Sequence, residues 1–453
     1  PHTARLLVVK PNPMLRPFVK EVQLSKPNLQ IKSAFDKFQE YESNDKELVG
    51  ALLYGQSVYQ TGIMNGQFLH NQNYLGQGMQ IAVLDGGFFN ANKYAALNSL
   101  WANMQILGTK DFVDPNSDIF STHYHGMSVL SCMGGNIPGE LIGTAPKASY
   151  LLLRSEDTDS EYIIEEDNWV VAAEFADSVG VDIINSSLGY TVFNDSLMNH
   201  EYSDMDGKTT RVTQGANIAA SRGILVFSSA GNERNKTWKY ISAPADGENV
   251  IAVGAVNKDS IAAPFSSYGP AFGGKTKPNV TAIGWNTYLQ LSNGNLGFSN
   301  GTSFSSPVMA GMAACLWQAF PEATSKHVKK ILEISGHLFE KPDTLMGFGI
   351  PNMQKAHFLL MNSLSSEEQF SKQWKAYPNP FGETLILNKS GSQFQGKINI
   401  EIYSIEGKLL RHWEITDAPW IELNDLNLLP TGILLLKISS AYSSETIKLS
   451  KVQ

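Results

Sequence analysis

The chain has 453 residues, 42% of them hydrophobic and 17% charged, with a net charge of −8. That length suggests roughly two to four folding units, with enough apolar material for a full core and too little charge for a disordered chain. A mildly acidic balance with no basic block argues against nucleic acid as the main partner, and no run of about 18 or more apolar residues is present to span a membrane as a helix. Its two cysteines, Cys132 and Cys315, rule out a disulfide-stapled scaffold and a cysteine-rich zinc module.

Residues 1–45 are short elements in a polar background. Arg5–Val9 reads as a strand, and Phe18–Leu24 alternates apolar and polar side chains at the period of a half-buried strand. No basic segment followed by an apolar stretch opens the chain, so its compartment has to be argued from elsewhere.

From 46 to 362 apolar strands, Gly-rich loops and helices alternate. Met79–Leu84, Ser149–Leu153, Val181–Asn185, Gly223–Phe227 and Val250–Gly254 are near-continuous apolar runs, the signature of strands covered on both faces. Helical stretches are expected at Trp169–Val179, Ala216–Arg222 and Pro307–Phe320. The pattern predicts an α/β fold with a doubly wound parallel sheet. Residues 363–371 read as a polar linker. The remainder, 372–453, reads as short strands and turns, a small C-terminal all-β sandwich. That last segment carries 9 basic and 8 acidic side chains, so the acidity belongs to the front part.

Four residues of the α/β part stand where chemistry gathers. Asp85 closes a buried strand, at the end where open α/β sheets form their sites. His125 opens a small-residue helix and is followed by Gly126; nearby His123 lacks the glycine. Ser303 lies in Gly301-Thr302-Ser303-Phe304-Ser305-Ser306-Pro307, before a stretch rich in Gly and Ala. Asn232 follows the strand ending at Phe227. Taken singly, each has an ordinary structural reading: a loop-capping Asp, a buried His, a helix-capping Ser, a turn Asn. Together they have one economical explanation. A serine nucleophile needs a base, the base needs a carboxylate to fix its tautomer, and a tetrahedral intermediate needs a donor for its oxygen.

Three of those residues, Asp85, His125 and Ser303, stand in the order Asp, His, Ser and with Asn232 resemble the subtilisin-like serine peptidases (subtilases). Ile81–Gly87, His125–Gly134, Gly143–Ala148, Asp182–Gly189, Val226–Asn232, Val250–Val256, Phe265–Pro270, Lys277–Ala282 and Gly301–Pro307 follow the family order over about 300 residues. The resemblance implies a subtilisin-like fold and a serine endopeptidase working through an acyl-enzyme, with no cofactor required. Asp85, His125 and Ser303 would be the triad, and Asn232 the oxyanion donor. Ser187, Leu188 and Gly189 would form one edge of the substrate cleft, with Ala230 and Gly231 flooring the primary specificity pocket.

The opposite edge should lie near Arg154–Tyr162, where Ser155–Glu161 carries four carboxylates. A solvated acidic loop is the plain reading; a preference for basic substrate residues or a Ca²⁺ site is the sharper one. A second candidate for structural Ca²⁺ is Asp204 with Asp206, in an insertion at Tyr190–Gln214. Cys132 and Cys315 read as small core residues, and the family fold, which makes their helices neighbours, allows a disulfide between them.

Both ends carry further resemblances. Arg5–Val9 and Pro17–Leu24 resemble the last part of a subtilase prodomain, which makes 1–45, too short for a complete one, the remnant of an inhibitory segment. Ala376-Tyr377-Pro378-Asn379-Pro380-Phe381, Ile402–Leu410 and Leu428–Lys437 are similar to the C-terminal sorting domain of the type IX secretion system of Bacteroidetes. That implies a secreted or cell-surface protein of a Gram-negative bacterium. The expected partners are protein or peptide substrates and the outer-membrane secretion machinery, with the chain a monomer. The rival readings are a catalytically silent adhesion protein on the same scaffold and an esterase; the absence of a Gly-x-Ser-x-Gly elbow at Ser303 speaks against the esterase.

Overall fold

The computed structural model describes residues 54–370, 374–389, 397–416, 418, 420–440 and 444–452. The expectations for residues 1–45 lie outside the described residues. The described chain divides into two units, within Pro1–Leu359 and Leu360–Gln453.

In the first unit the apolar runs form seven strands: β1 (Gln80–Asp85), β2 (Ile106–Asp111), β3 (Ser149–Arg154), β4 (Ile183–Ser186), β5 (Leu225–Ser229), β6 (Ile251–Val256) and β7 (Val280–Ile283). They make one sheet in the order β2-β3-β1-β4-β5-β6-β7, and every pairing is parallel. Parallel neighbours need long crossovers, supplied by α1 (His125–Gly134), α2 (Ile164–Val179) and α3 (Arg211–Ser221) among others, while α4 (Thr302–Gln318) follows the last strand of the sheet.

Two successive residues of β4 show the two covered faces. The Ser186 hydroxyl accepts from Trp169 Nε1 of α2 at 2.8 Å, while Asn185 Oδ1 accepts from the Ser306 hydroxyl of α4 at 2.8 Å. On the α2–α3 face, Ala82, Leu84, Leu151 and Leu153 pack with Trp169, Ala172, Val212 and Ala216. By strand alternation Ile81, Val83 and Asp85 turn to the other face. There α1 and α4 pack together, with α4 lying over β4 to β7. Helix α4 is buried on nearly every side, which is why its sequence is apolar all round and rich in small residues. A Cβ added at Gly311 would stand 2.1 Å from Thr144 Oγ1.

The elements depart from the sequence expectations mainly at helix starts. Helix α2 begins at Ile164 rather than Trp169, because Glu165, Glu166 and Asp167 suit the positive end of a helix dipole. Helix α3 begins at Arg211, capped by Thr210, whose hydroxyl accepts from Thr213 N. Helix α4 begins five residues before Pro307; the proline sits inside it, and its missing N–H frees the carbonyl of Ser303.

Residues 363–370, polar enough to read as linker, continue the helix Met353–Phe370. No Pro or Gly interrupts that stretch. In the second unit all ladders are antiparallel. Trp374–Tyr377, Leu385–Lys389 and Trp420–Leu423 form one sheet; Leu409–Thr416, Lys397–Ser404, Gly432–Ser439 and Ser444–Lys451 form the other. Both contribute to one core that includes Phe381, Leu387, Ile400, Ile402, Leu436 and Leu449. Ile398, Ile400 and Ile402 are buried between more exposed Lys397, Asn399 and Glu401, the alternation of a sheet packed on one face.

Candidate active site

The candidate residues meet at the carboxyl ends of three adjacent strands. Leu84 of β1 is in register with Ser186 of β4, and Ser186 with Ser228 of β5. Asp85, Ser187 and the Ser229–Asn232 segment therefore leave the sheet side by side.

Asp85 is fully buried, and the Gly86 N–H donates to its Oδ1 at 2.8 Å. His125, the first residue of α1, places Nδ1 2.8 Å from Asp85 Oδ1 and 3.0 Å from Oδ2. This close approach requires glycine next to His125. A Cβ on Gly126 would stand 2.5 Å from the Gly87 carbonyl oxygen and 2.8 Å from Asp85 Cβ. With Nδ1–H given to a carboxylate, Nε2 is left as the acceptor. Burial lowers the His125 pKa, but the Asp85 charge and hydrogen bond raise it, and the net position is above the usual 6.5. His123 instead accepts from the His125 N–H at 3.4 Å and stacks on its ring at 6.3 Å.

Ser303 is half-buried at the start of α4. The ring of Phe304, its neighbour, lies 5.8 Å from that of His125. The Ser303 hydroxyl donates to the Ser187 carbonyl at 3.3 Å, and the Ser187 hydroxyl donates to the Ser303 carbonyl at 2.8 Å. Asn185 Nδ2 donates in turn to the Ser187 hydroxyl at 3.2 Å.

Asn232 is gripped by its oxygen. Its Oδ1 accepts from Thr302 N at 2.9 Å and from the Thr302 hydroxyl at 3.1 Å. The same hydroxyl accepts from Gly231 N at 3.1 Å. Among the described residues Asn232 Nδ2 has no protein partner, so the amide N–H groups remain available as donors. Leu188 and Ala230 are buried, and the Ser229 hydroxyl donates to the Leu188 carbonyl at 3.4 Å. Gly189 packs too closely on Ser242 for any side chain, with a Cβ 2.2 Å from Ser242 Oγ. The Ser187–Gly189 and Ala230–Asn232 segments thus flank Ser303.

Sequence reasoning missed Thr302, Asn185 and Ser306. The one local signal was Asn185, a polar residue inside an apolar strand. The metal candidates Asp204 and Asp206 spend their carboxylates on turns. Asp204 Oδ2 accepts from Glu201 N at 2.8 Å, and Asp206 Oδ1 accepts from the N–H groups of Lys208 and Thr209 at 2.9 and 2.8 Å. Among the described residues no group of three or more His, Cys, Asp or Glu is placed to hold a metal ion. Cys132 and Cys315 are buried free thiols; Cys315 donates to the Thr144 carbonyl at 3.2 Å.

The subtilase family model matches residues 57–349, and that of the secretion system C-terminal sorting domain matches 375–452. Subtilisin E of Bacillus subtilis (strain 168) is 29% identical over 310 residues, which cover 67% of this chain and 72% of that protein. Serine protease AprX of the same strain is 28% identical over 325 residues, covering 65% and 68%. Two solved structures share the fold. A protease of Pseudoalteromonas arctica has a TM-score of 0.53 at 20% identity, covering 68% of this chain and 99% of that one. The prenylagaramide maturation protease PagA has a TM-score of 0.52 at 21% identity, covering 65% and 98%.

Proposed function

The chain belongs to the subtilase family, and from that premise we propose that it cleaves peptide bonds through an acyl-enzyme formed on Ser303. It is a serine-type endopeptidase carrying a type IX sorting domain that directs it out of the cell. In the proposed cycle the Ser303 hydroxyl turns from the Ser187 carbonyl toward His125 Nε2. His125 takes its proton as Ser303 Oγ attacks the substrate carbonyl. Asp85 holds the tautomer and stabilises the imidazolium. Asn232 Nδ2 and the Ser303 backbone N–H donate to the developing oxyanion. His125 then protonates the leaving amine, and water, deprotonated by His125, hydrolyses the ester.

The observation that carries the reading is the His125–Asp85 pair beside a serine at a helix start. It is tested by treating the mature protein with a fluorophosphonate probe and mapping the adduct. Labelling is expected on Ser303, and Ser303→Ala is expected to abolish both labelling and casein hydrolysis. A mature sample that neither labels nor cleaves casein would make the chain a binding protein on a subtilase scaffold.

A further inference from the structure

Beside the Asp85–His125 pair and Ser303, two segments enclose a group of acidic side chains that the proposed cycle does not use. One is Ser155–Glu166. Its Ser155 N–H donates to the Asp85 carbonyl at 3.0 Å, and its Thr158 lies against Gly86, so closely that a Cβ there would stand 2.6 Å from Thr158 Cγ2. The other is Ser187–Tyr190, whose first residue accepts the Ser303 hydroxyl.

Four buried polar atoms between them have no partner among the described residues: Glu156 Oε2, Glu165 Oε2, Ser155 Oγ and the Tyr190 hydroxyl. Glu165 is 1% exposed and Tyr190 fully buried. The charges of Glu156, Glu165, Glu161 and Glu166 all reach the Tyr190 hydroxyl. Such atoms cost free energy unless something satisfies them.

The nearby cations are already engaged. Arg154 bonds Asp111 at 3.0 Å and the Gly86 carbonyl at 3.1 Å, and lies 3.7 Å from Asp157. His200 is held by Glu166. Glu165 Oε1 accepts from the Asp157 N–H at 3.2 Å. The carboxyls of Glu156, Glu161 and Glu165 thus gather close to one another and to Asp85, with no free cation among the described residues to oppose their charge once they ionise.

We propose that this pocket, lined by Glu156, Glu161, Glu165 and Tyr190, binds a lysine or arginine side chain of the substrate on the acyl side of the scissile bond. This rests on the reading of Ser303 as the nucleophile. The acceptors do not converge as metal ligands would, whereas a guanidinium spreads five donors over a plane. Tyr190 lies three residues beyond Ser187, a span of about 10 Å in extended chain. A substrate strand alongside would present a side chain there two to four residues upstream of the reacting carbonyl.

Empty, the pocket holds its protons. Burial raises Glu161 to about 7; burial and the Glu161 charge raise Glu165 to about 8. Burial, then Glu161, Glu165 and Asp85, push Glu156 well above the usual carboxylate range. A bound cation favours the ionised forms, so the preference should strengthen as pH rises through 7 to 8.

The test is cleavage profiling of the wild-type chain on a peptide library with calcium chelated, at pH 6 and pH 8.5, with casein as a general substrate. Arg or Lys should be enriched about tenfold at one position two to four residues upstream, more so at pH 8.5. In Glu165→Gln, Glu156→Gln and Tyr190→Phe, each near-isosteric, the ratio of kcat/KM for an Arg peptide over its Ala counterpart should fall. A wild type that cleaves casein with no upstream basic preference overturns the pocket alone. So does Ca²⁺ alone binding the wild type, by calorimetry, and failing to bind Glu165→Gln. A wild type that neither cleaves casein nor labels at Ser303 overturns both readings.

Discussion

Ser187 and Ser303 exchange two hydrogen bonds, hydroxyl to carbonyl in both directions, at 2.8 and 3.3 Å. The shorter one exists because of Pro307. In a regular helix the N–H four residues on would take the Ser303 carbonyl, and proline has none. The Ser187 hydroxyl fills that vacancy and so ties the candidate nucleophile to the end of β4.

Ser187→Ala should therefore destabilise the protein by about 1–2 kcal/mol, the cost of a buried carbonyl left without a donor. Adding Pro307→Ala restores a helical N–H to that carbonyl. The double variant should recover part of the loss, giving a coupling that denaturant melts of the four proteins would detect. Simple additivity would show that Pro307 does not govern the Ser187 bond.

In the proposed cycle Thr302 acts on the oxyanion through Asn232, whose Oδ1 it holds. Asn232→Ala should lower kcat by about 10²–10³ with KM little changed, the scale set by loss of the corresponding donor in subtilisin. Thr302→Val keeps the backbone N–H but removes the hydroxyl that bonds Asn232 Oδ1 and Gly231 N. It should lower kcat by about tenfold at unchanged KM, since the amide loses half its grip. Thr302→Ser should restore the rate. Equal falls in kcat and thermal stability across both Thr302 variants would mean that the hydroxyl only packs the helix start.

The sheet was legible where strands are covered on both faces, as at Met79–Leu84, because continuous apolar runs survive in the sequence. Strand β2 was not, since Leu107 is 44% exposed and the run is broken by polar residues. Asp85, His125, Asn232 and Ser303 stood out because each closes or soon follows a strand, or opens a helix, a place that local sequence marks. Thr302 did not. A threonine between Gly301 and Ser303 looks like any helix-start residue, and its partner lies 70 residues away. The acidic run Ser155–Glu161 read most simply as solvated. What encloses its carboxylates is Tyr190 and the first turn of α2, a long-range packing that leaves no local pattern.

The pH profile should carry the signature of the His125–Asp85 pair. The proposed cycle needs neutral His125 as base, so kcat/KM should fall as pH drops through its free-enzyme pKa. Asp85 holds that pKa above 6.5 against the opposing effect of burial. The acid limb should then have its midpoint above 6.5. Asp85→Asn removes the raising influence, so the limb should move to lower pH while kcat falls by about 10⁴ through loss of the correct tautomer. Profiles of the two proteins between pH 5 and 9 decide the point, and an unmoved limb would assign it to another group.

The second unit has its own core, and this separates export from catalysis. Leu436 is fully buried among Ile400, Ile402 and Leu449 of the same module. Leu436→Asp places a carboxylate there with no cationic partner, a change that costs several kcal/mol and is enough to unfold a small β module. None of the residues that hold Asp85, His125 and Ser303 in place belongs to that core. Calorimetry should show two transitions in the wild type and loss of one in Leu436→Asp, while the purified variant still labels at Ser303. In the native host the same variant should be retained inside the cell if the sorting signal is read as a folded module. Export at wild-type levels would show instead that a linear stretch of the module suffices for recognition.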